Sequence, residues 1–240
     1  MNSIEIVNLS KTYKSGVVAL RNLSLNVNQG ELFGLLGVNG AGKTTLIKIL
    51  SGLTKKSSGK AYINGYDIDS NLSEIKKIID VSPQETSVAP NLTVLENLEF
   101  FASVYDVNDA NYLQEIISTF SLEEVLSQKA KTLSGGYKRR LSIAIALISK
   151  PQVLFLDEPT LGLDVLARRE LWKIISKLKG KITIILTSHY LEEIEKLSDR
   201  VAILYKGRLL TVGEPEEIKC SVNASTFEDA FVKIVESKNE

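Results

Sequence analysis

Residues 37–44 read Gly37-Val38-Asn39-Gly40-Ala41-Gly42-Lys43-Thr44, a Gly-x4-Gly-Lys-Ser/Thr spacing suited to holding phosphate. Glycines let the main chain curl until successive N–H groups face one anion, and a following helix start adds partial positive charge. Lys43 supplies a mobile cation for the outer phosphates, and the Thr44 hydroxyl is placed to ligand Mg2+. From average composition the fixed positions coincide by chance in roughly one chain per hundred of this length, and a strand before and a helix after lower that further.

A second group of residues supplies what hydrolysis needs. Val153-Leu154-Phe155-Leu156 is an apolar strand ending in Asp157-Glu158. Asp157 can reach a metal ion held by Thr44, while Glu158, expected on the other face of the strand, can polarise a water. A strand ending in a solvated acidic turn looks the same in isolation; the phosphate loop upstream gives the pair its chemical meaning. His189, the only histidine, follows the apolar run 182–186 and Thr187-Ser188. The carboxyl edge of a parallel sheet is where ligands sit, yet a strand-end histidine is also a common structural element, so both roles stay open. Leu133-Ser134-Gly135-Gly136 precedes a helix through Leu141, Ile145 and Ile148. Ser134 can cap that helix and the glycines bare its N–H groups, which makes a second anion site or an ordinary capped start.

The elements that would position these residues can be read from periodicity. Residues 4–9 and 23–27 alternate apolar with polar, as half-buried strands do, whereas 32–36 is almost wholly apolar, as a central parallel strand is. Residues 43–50 open a helix and 60–64 return as a strand. From Thr93 to about Lys150 helical spacing replaces strand-like runs, which predicts a helical subdomain inserted into the core. Three apolar strands follow at 153–156, 182–186 and 201–205, separated by helices, then a turn at Lys206-Gly207 into 208–212. The expected class is α/β: a mostly parallel core sheet with an antiparallel β element and an inserted helical subdomain. The expected limits are a catalytic core at 1–84 and 151–219, a helical part at about 85–150, and a short C-terminal amphipathic helix within 220–240 carrying Phe227, Ala230, Phe231 and Ile234.

Bulk properties narrow the partners. The chain has 240 residues, 29 Lys plus Arg and 29 Asp plus Glu, so its net charge is zero and no nucleic-acid surface is expected. Arg139-Arg140 and Arg168-Arg169 read as solvated or interface faces. Cys220, the only cysteine, rules out an internal disulfide. No apolar run approaches the roughly 18 residues a membrane helix needs, and the first residues read as a strand with no secretory signal, so a cytoplasmic chain is expected.

In this order the motifs resemble the ABC ATPase family over nearly the whole chain. That resemblance implies ATP and Mg2+ as ligands, with Gly37, Val38, Asn39, Gly40, Ala41, Gly42, Lys43, Thr44, Thr45 and Gln84 binding nucleotide, and Thr44, Gln84 and Asp157 at the metal. Leu133, Ser134, Gly135 and Gly136 look like the signature motif, which acts on the nucleotide of a second subunit. Gly162-Leu163-Asp164 resembles the D-loop, Pro83-Gln84 the Q-loop, Glu158 the general base and His189 the switch histidine. Tyr13 lies where the family stacks an aromatic on adenine, although an ordinary loop tyrosine fits as well. Tyr137 departs from the usual signature glutamine. The stretch 157–169 and the helix beginning at 226 look most like the ABC-2 class of exporters. A second ATPase subunit and a transmembrane permease are the implied partners, with the chain peripheral on the inner face of the cell membrane. A soluble ABC ATPase of iron–sulfur cluster assembly is the alternative, while the ribosome-associated ABC-F group is disfavoured because a single phosphate loop is present.

Overall fold

A strand that is apolar at every position must be covered on both faces, and that requirement organises the molecule, whose computed structural model describes residues 2–237. β1 (Asn2–Thr12) and β2 (Val18–Asn28) come first, then β3 (Leu32–Leu36), α1 (Lys43–Leu50), β4 (Ser58–Ile63) and the short β5 (Tyr66–Asp67). α2 (Leu72–Ile78) runs directly into β6 (Ile79–Ser82). Three helices follow, α3 (Val94–Val104), α4 (Ala110–Thr119) and α5 (Gly135–Ile148). The rest alternates: β7 (Val153–Asp157), α6 (Val165–Leu178), β8 (Thr183–Ser188), α7 (Leu191–Leu197), β9 (Arg200–Tyr205) and β10 (Arg208–Gly213), ending in α8 (Pro215–Ser221) and α9 (Phe227–Glu236).

Two sheets result. The larger has the order β10-β9-β3-β8-β7-β6, parallel throughout except for β10, which returns antiparallel on β9. The smaller, β2-β1-β4-β5, is antiparallel. Side chains of the large sheet alternate between two cores. Leu32, Leu36, Leu154, Leu156 and Leu186 face one core with the helices α3 to α7. Phe33, Leu35, Val153, Phe155 and Ile185 face the other, shared with α1 and the antiparallel sheet. The apolar runs are continuous because each face of the sheet has its own cover.

The structure departs from the sequence reading in identifiable places. β1 and β2 extend beyond residues 4–9 and 23–27, because bulges at several points let an 11-residue pairing continue where simple alternation fails. α2, β5, β6 and α8 carry too little periodicity to read from sequence; β6 is four residues long. α8 lies across the expected boundary at 219/220. Pro215 at its first turn and the Glu214–Glu217 capping box start a helix there, and Ile218 is buried beneath it. α9 then occupies 227–236, with Phe227, Ala230 and Ile234 buried and Phe231 partly so; residues 238–240 lie outside the described residues. Arg139 and Arg140 are not solvated: they are 4% and 8% exposed.

Candidate active site

The register of the parallel strands brings the chemistry-bearing residues to one edge. Leu36 on β3 is opposite Ser188 on β8, and Thr187 on β8 is opposite Asp157 on β7. The loop after β3, the carboxylates after β7 and His189 after β8 therefore emerge side by side at the sheet's carboxyl ends.

The glycine loop is shaped by close approach. A Cβ on Gly37 would lie 2.5 Å from the Leu204 carbonyl oxygen, and one on Gly42 would lie 2.6 Å from that of Ala19. Gly42 also caps α1 in a left-handed conformation, φ 108°, which glycine alone adopts at little cost. Gly40 faces open space. The α1 N-terminus thus points its free N–H groups into a cleft of about 630 Å3 lined by Asn39 to Thr45, Tyr13, Gln84, Glu158 and His189.

Lys43 is buried and folds back over its own loop, donating from Nζ to the Gly37 carbonyl at 2.6 Å. Its ammonium also stands 3.7 Å from Glu158 Oε1. Burial pushes the Lys43 pKa below its ordinary value, and the charges of Glu158 and Asp157 partly restore it. A lysine so desolvated gains strongly from an anion beside it.

Strand alternation does not carry past Asp157. Glu158 has φ 48°, a left-handed turn that costs a non-glycine residue on the order of 1 kcal/mol. Its N–H is held by Thr187, through Oγ1 at 3.0 Å and the carbonyl at 3.2 Å. Glu158 consequently turns into the cleft, beside the buried Asp157, where alternation predicts the opposite face. Asp157 Oδ1 accepts from Thr187 Oγ1 at 2.6 Å and from Thr44 Oγ1 at 3.4 Å. Glu158 Oε2 meets His189 Nδ1 at 3.1 Å. Thr44 Oγ1 and Asp157 Oδ1 are hard oxygen donors close enough to share one small cation, so the residues present suit Mg2+.

Tyr13 bonds Thr45 Oγ1 through its hydroxyl at 3.2 Å, and Lys11 Nζ lies 4.9 Å from its ring centre. Gln84 is held through its main chain: Arg139 on α5 donates to the carbonyls of Pro83 at 2.7 Å and Gln84 at 2.5 Å. Burial lowers the Arg139 pKa and Asp157 opposes that shift. Arg140 pairs with Glu170 and lies 5.0 Å from the Tyr137 ring centre.

The remaining residues stand apart from the cleft. Val38 is exposed on the loop's outer side. Ser134 caps α5 by accepting from Tyr137 N–H at 3.4 Å, and Leu133 is buried beneath it. Gly136 packs against Ala167, and Gly135 faces Leu163. Asp164 caps α6, its Oδ1 accepting from Leu166 and Ala167 N–H at 2.9 Å. Residues 133–136 and 162–164 are neighbours of one another, and neither group lines the cleft of its own chain. Sequence reasoning missed Val17, Val18, Ala19 and Leu161 as cleft walls, Thr187 as the holder of both carboxylate positions, and Arg139 as the clamp on residues 83–84. Only Thr187, polar at the end of an apolar strand, gave a readable signal.

Residues 20–161 match the family model described as ABC transporter. The chain is 42% identical to mouse (Mus musculus) phospholipid-transporting ATPase ABCA3 over 216 residues, 88% of this chain and 13% of that protein. The chain thus spans 13% of the length of the mammalian relatives it matches. A solved ATP-binding subunit of an ABC transporter is 30% identical, with a TM-score of 0.85 over 96% of this chain and 98% of that one. The ATP-binding cassette MJ0796, solved as a dimer in a post-hydrolysis state with ADP and Pi, is 27% identical, with a TM-score of 0.77 over 88% of this chain and 98% of that one. The chain belongs to the ABC transporter family, as an ATP-binding ATPase domain.

Proposed function

We propose that this chain is the ATP-hydrolysing subunit that powers a separate transmembrane permease of an ABC-2 type exporter, working as one of a pair on the cytoplasmic face of the membrane. The observation that carries the hydrolytic reading is the position of Glu158, between Lys43 Nζ at 3.7 Å and His189 Nδ1 at 3.1 Å at the mouth of the glycine loop. Phosphoryl transfer asks a protein mainly for positioning and charge. The loop N–H groups and Lys43 would hold the β- and γ-phosphates, with Tyr13 beside the base. Thr44 and Asp157, together with Gln84, would hold Mg2+, which when bound draws negative charge from the phosphate oxygens. Glu158 would orient a water towards the γ-phosphorus and accept its proton as the bond to ADP breaks. His189 would fix the Glu158 carboxylate and contact the γ-phosphate.

The exporter reading is supported by similarity to ABCA proteins, one of them named for phospholipid transport, and by the likeness of residues 157–169 to the ABC-2 class. No helix among the described residues is long and apolar enough to cross a membrane, so the translocation path must be supplied elsewhere. Pairing is supported by the dimeric MJ0796 cassette and by the exposed helix start at Ser134, which lies outside the cleft of its own chain. Glu158→Gln tests the proposal: ATP affinity is retained, turnover is lost, and gel filtration with ATP-Mg2+ shows an accumulated dimer. An unchanged monomer with normal turnover refutes it.

A further inference from the structure

Glu193 on α7, four residues beyond His189, is a carboxylate with 0% exposure, and the hydrolytic reading gives it no task. Its two oxygens serve different elements. Oε2 accepts from Thr160 Oγ1 at 3.0 Å, in the loop just after Glu158, and Oε1 accepts from Trp172 Nε1 at 2.9 Å, on α6. The hydroxyl of Ser188, the residue before His189, faces the same carboxylate. Burial pushes the Glu193 pKa above the ordinary range, and hydrogen bonds from Ser188, Trp172 and Thr160 pull it back. An apolar side chain would fill the same space without that desolvation, so the bonds themselves are the reason for a carboxylate here.

The contact these bonds stand behind is weakly supported by itself. The strand ends that carry Glu158 and His189 are tied by the two bonds from Glu158 N–H to Thr187, but their side chains meet in a single contact, and His189 is 34% exposed on its side chain. A lone, partly solvated pair of this kind holds little. Thr160 and Glu193 add a buried connection from the β7–α6 loop to the first turn of α7, just beyond His189. We propose that Glu193 is a positioning residue, a brace that ties the β7–α6 loop to the start of α7, directly after His189, and so keeps Glu158 and His189 facing each other across the cleft. The role rests on the reading of Glu158 and His189 as the hydrolytic pair.

Thr160→Val is the sharpest test, because it keeps shape, removes one hydroxyl and alters no charge. With the brace cut, kcat falls roughly tenfold, the scale of a small misplacement of reacting groups, while the Kd for ATP stays within about twofold. Glu193→Ala behaves alike, whereas Glu193→Gln restores kcat, since its amide can donate to Thr160 and its carbonyl can accept from Trp172. His189 is the chain's single histidine, so both ring-nitrogen resonances belong to it, and their couplings to the ring protons distinguish Nδ1 from Nε2. In labelled protein Thr160→Val shifts the Nδ1 signal in the same direction as Glu158→Gln, and Glu193→Gln leaves it in place. Wild-type kcat and an unmoved histidine signal in Thr160→Val overturn the brace, as does Glu193→Gln failing as badly as Glu193→Ala. Absence of turnover in the wild-type protein sinks the hydrolytic reading instead, and the histidine signal then still decides whether the brace exists.

Discussion

Lys43 shows how a single side chain can be prepared for an anion it does not yet touch. Its ammonium is desolvated, resting on the Gly37 carbonyl and near Glu158, and burial has lowered its pKa. The sign follows: an approaching triphosphate stabilises the charged form, so binding restores the proton affinity that burial removed. Lys43→Ala removes the cation and leaves the Gly37 carbonyl without that donor. ATP binding is then abolished in a nucleotide titration, while the melting temperature changes little, because the bond to Gly37 lies within one loop and only the 3.7 Å pairing with Glu158 crosses to another element. An affinity equal to wild type would take the glycine loop out of the mechanism. The same scale explains what sequence reading does well. Gly37, Gly42, Lys43 and Thr44 carry their chemistry in residue type and spacing, and the loop begins where β3 ends. Glu158 carries less, since its left-handed turn is set by Thr187 from another strand, and nothing near it in sequence announces that.

Among the elements, α5 joins distant parts of the site. Its N-terminus displays Ser134, Gly135 and Gly136 at the surface. A turn later Arg139 reaches inward to hold the carbonyls of Pro83 and Gln84. The main chain that bears Gln84 is therefore fastened to the helix that starts at Ser134 to Gly136. Arg139→Ala breaks two charge-assisted bonds and strands two carbonyls, a loss on the order of 3 kcal/mol. Urea unfolding measures that loss. ATP hydrolysis is expected to fall further than ATP affinity, because Gln84 drifts while the glycine loop stays intact. Equal losses in both, or none, would separate α5 from the Gln84 loop. The long periodic helices and the apolar strands were legible because packing leaves a mark on each of their residues. Arg139 and Arg140 were not, because a charged pair on a helix looks solvated until the carbonyls and carboxylate that satisfy it arrive from residues 83–84 and from Glu170. β6 and α8 failed for a different reason: too short to show a period, they are held by pairing with β7 and by Ile218 respectively.

At the scale of the whole molecule, one chain holds a cleft and, elsewhere, a second helix start, at Ser134 to Gly136, that lies outside that cleft. Ser134 is exposed, and beside it the start of α6 presents Val165 at 54% and Leu166 at 75% exposure. An apolar edge next to an exposed helix start suits a head-to-tail pair, in which each copy offers its helix to the nucleotide of the other. Such a pair predicts complementation. A Lys43→Ala chain keeps a sound signature and has no working cleft; a Ser134→Arg chain keeps a sound cleft and obstructs its partner's. Each variant alone is inactive. When equal amounts are mixed, half of the pairs are mixed, and each of those has one complete site of two. Phosphate release then recovers to roughly a quarter of the wild-type rate if the sites act independently. The result is specific, because no arrangement confining both motifs to one chain's own nucleotide can regain activity from two defective copies. A mixture as silent as its components would mean that Ser134 serves its own chain or none, and the paired mechanism would have to be abandoned.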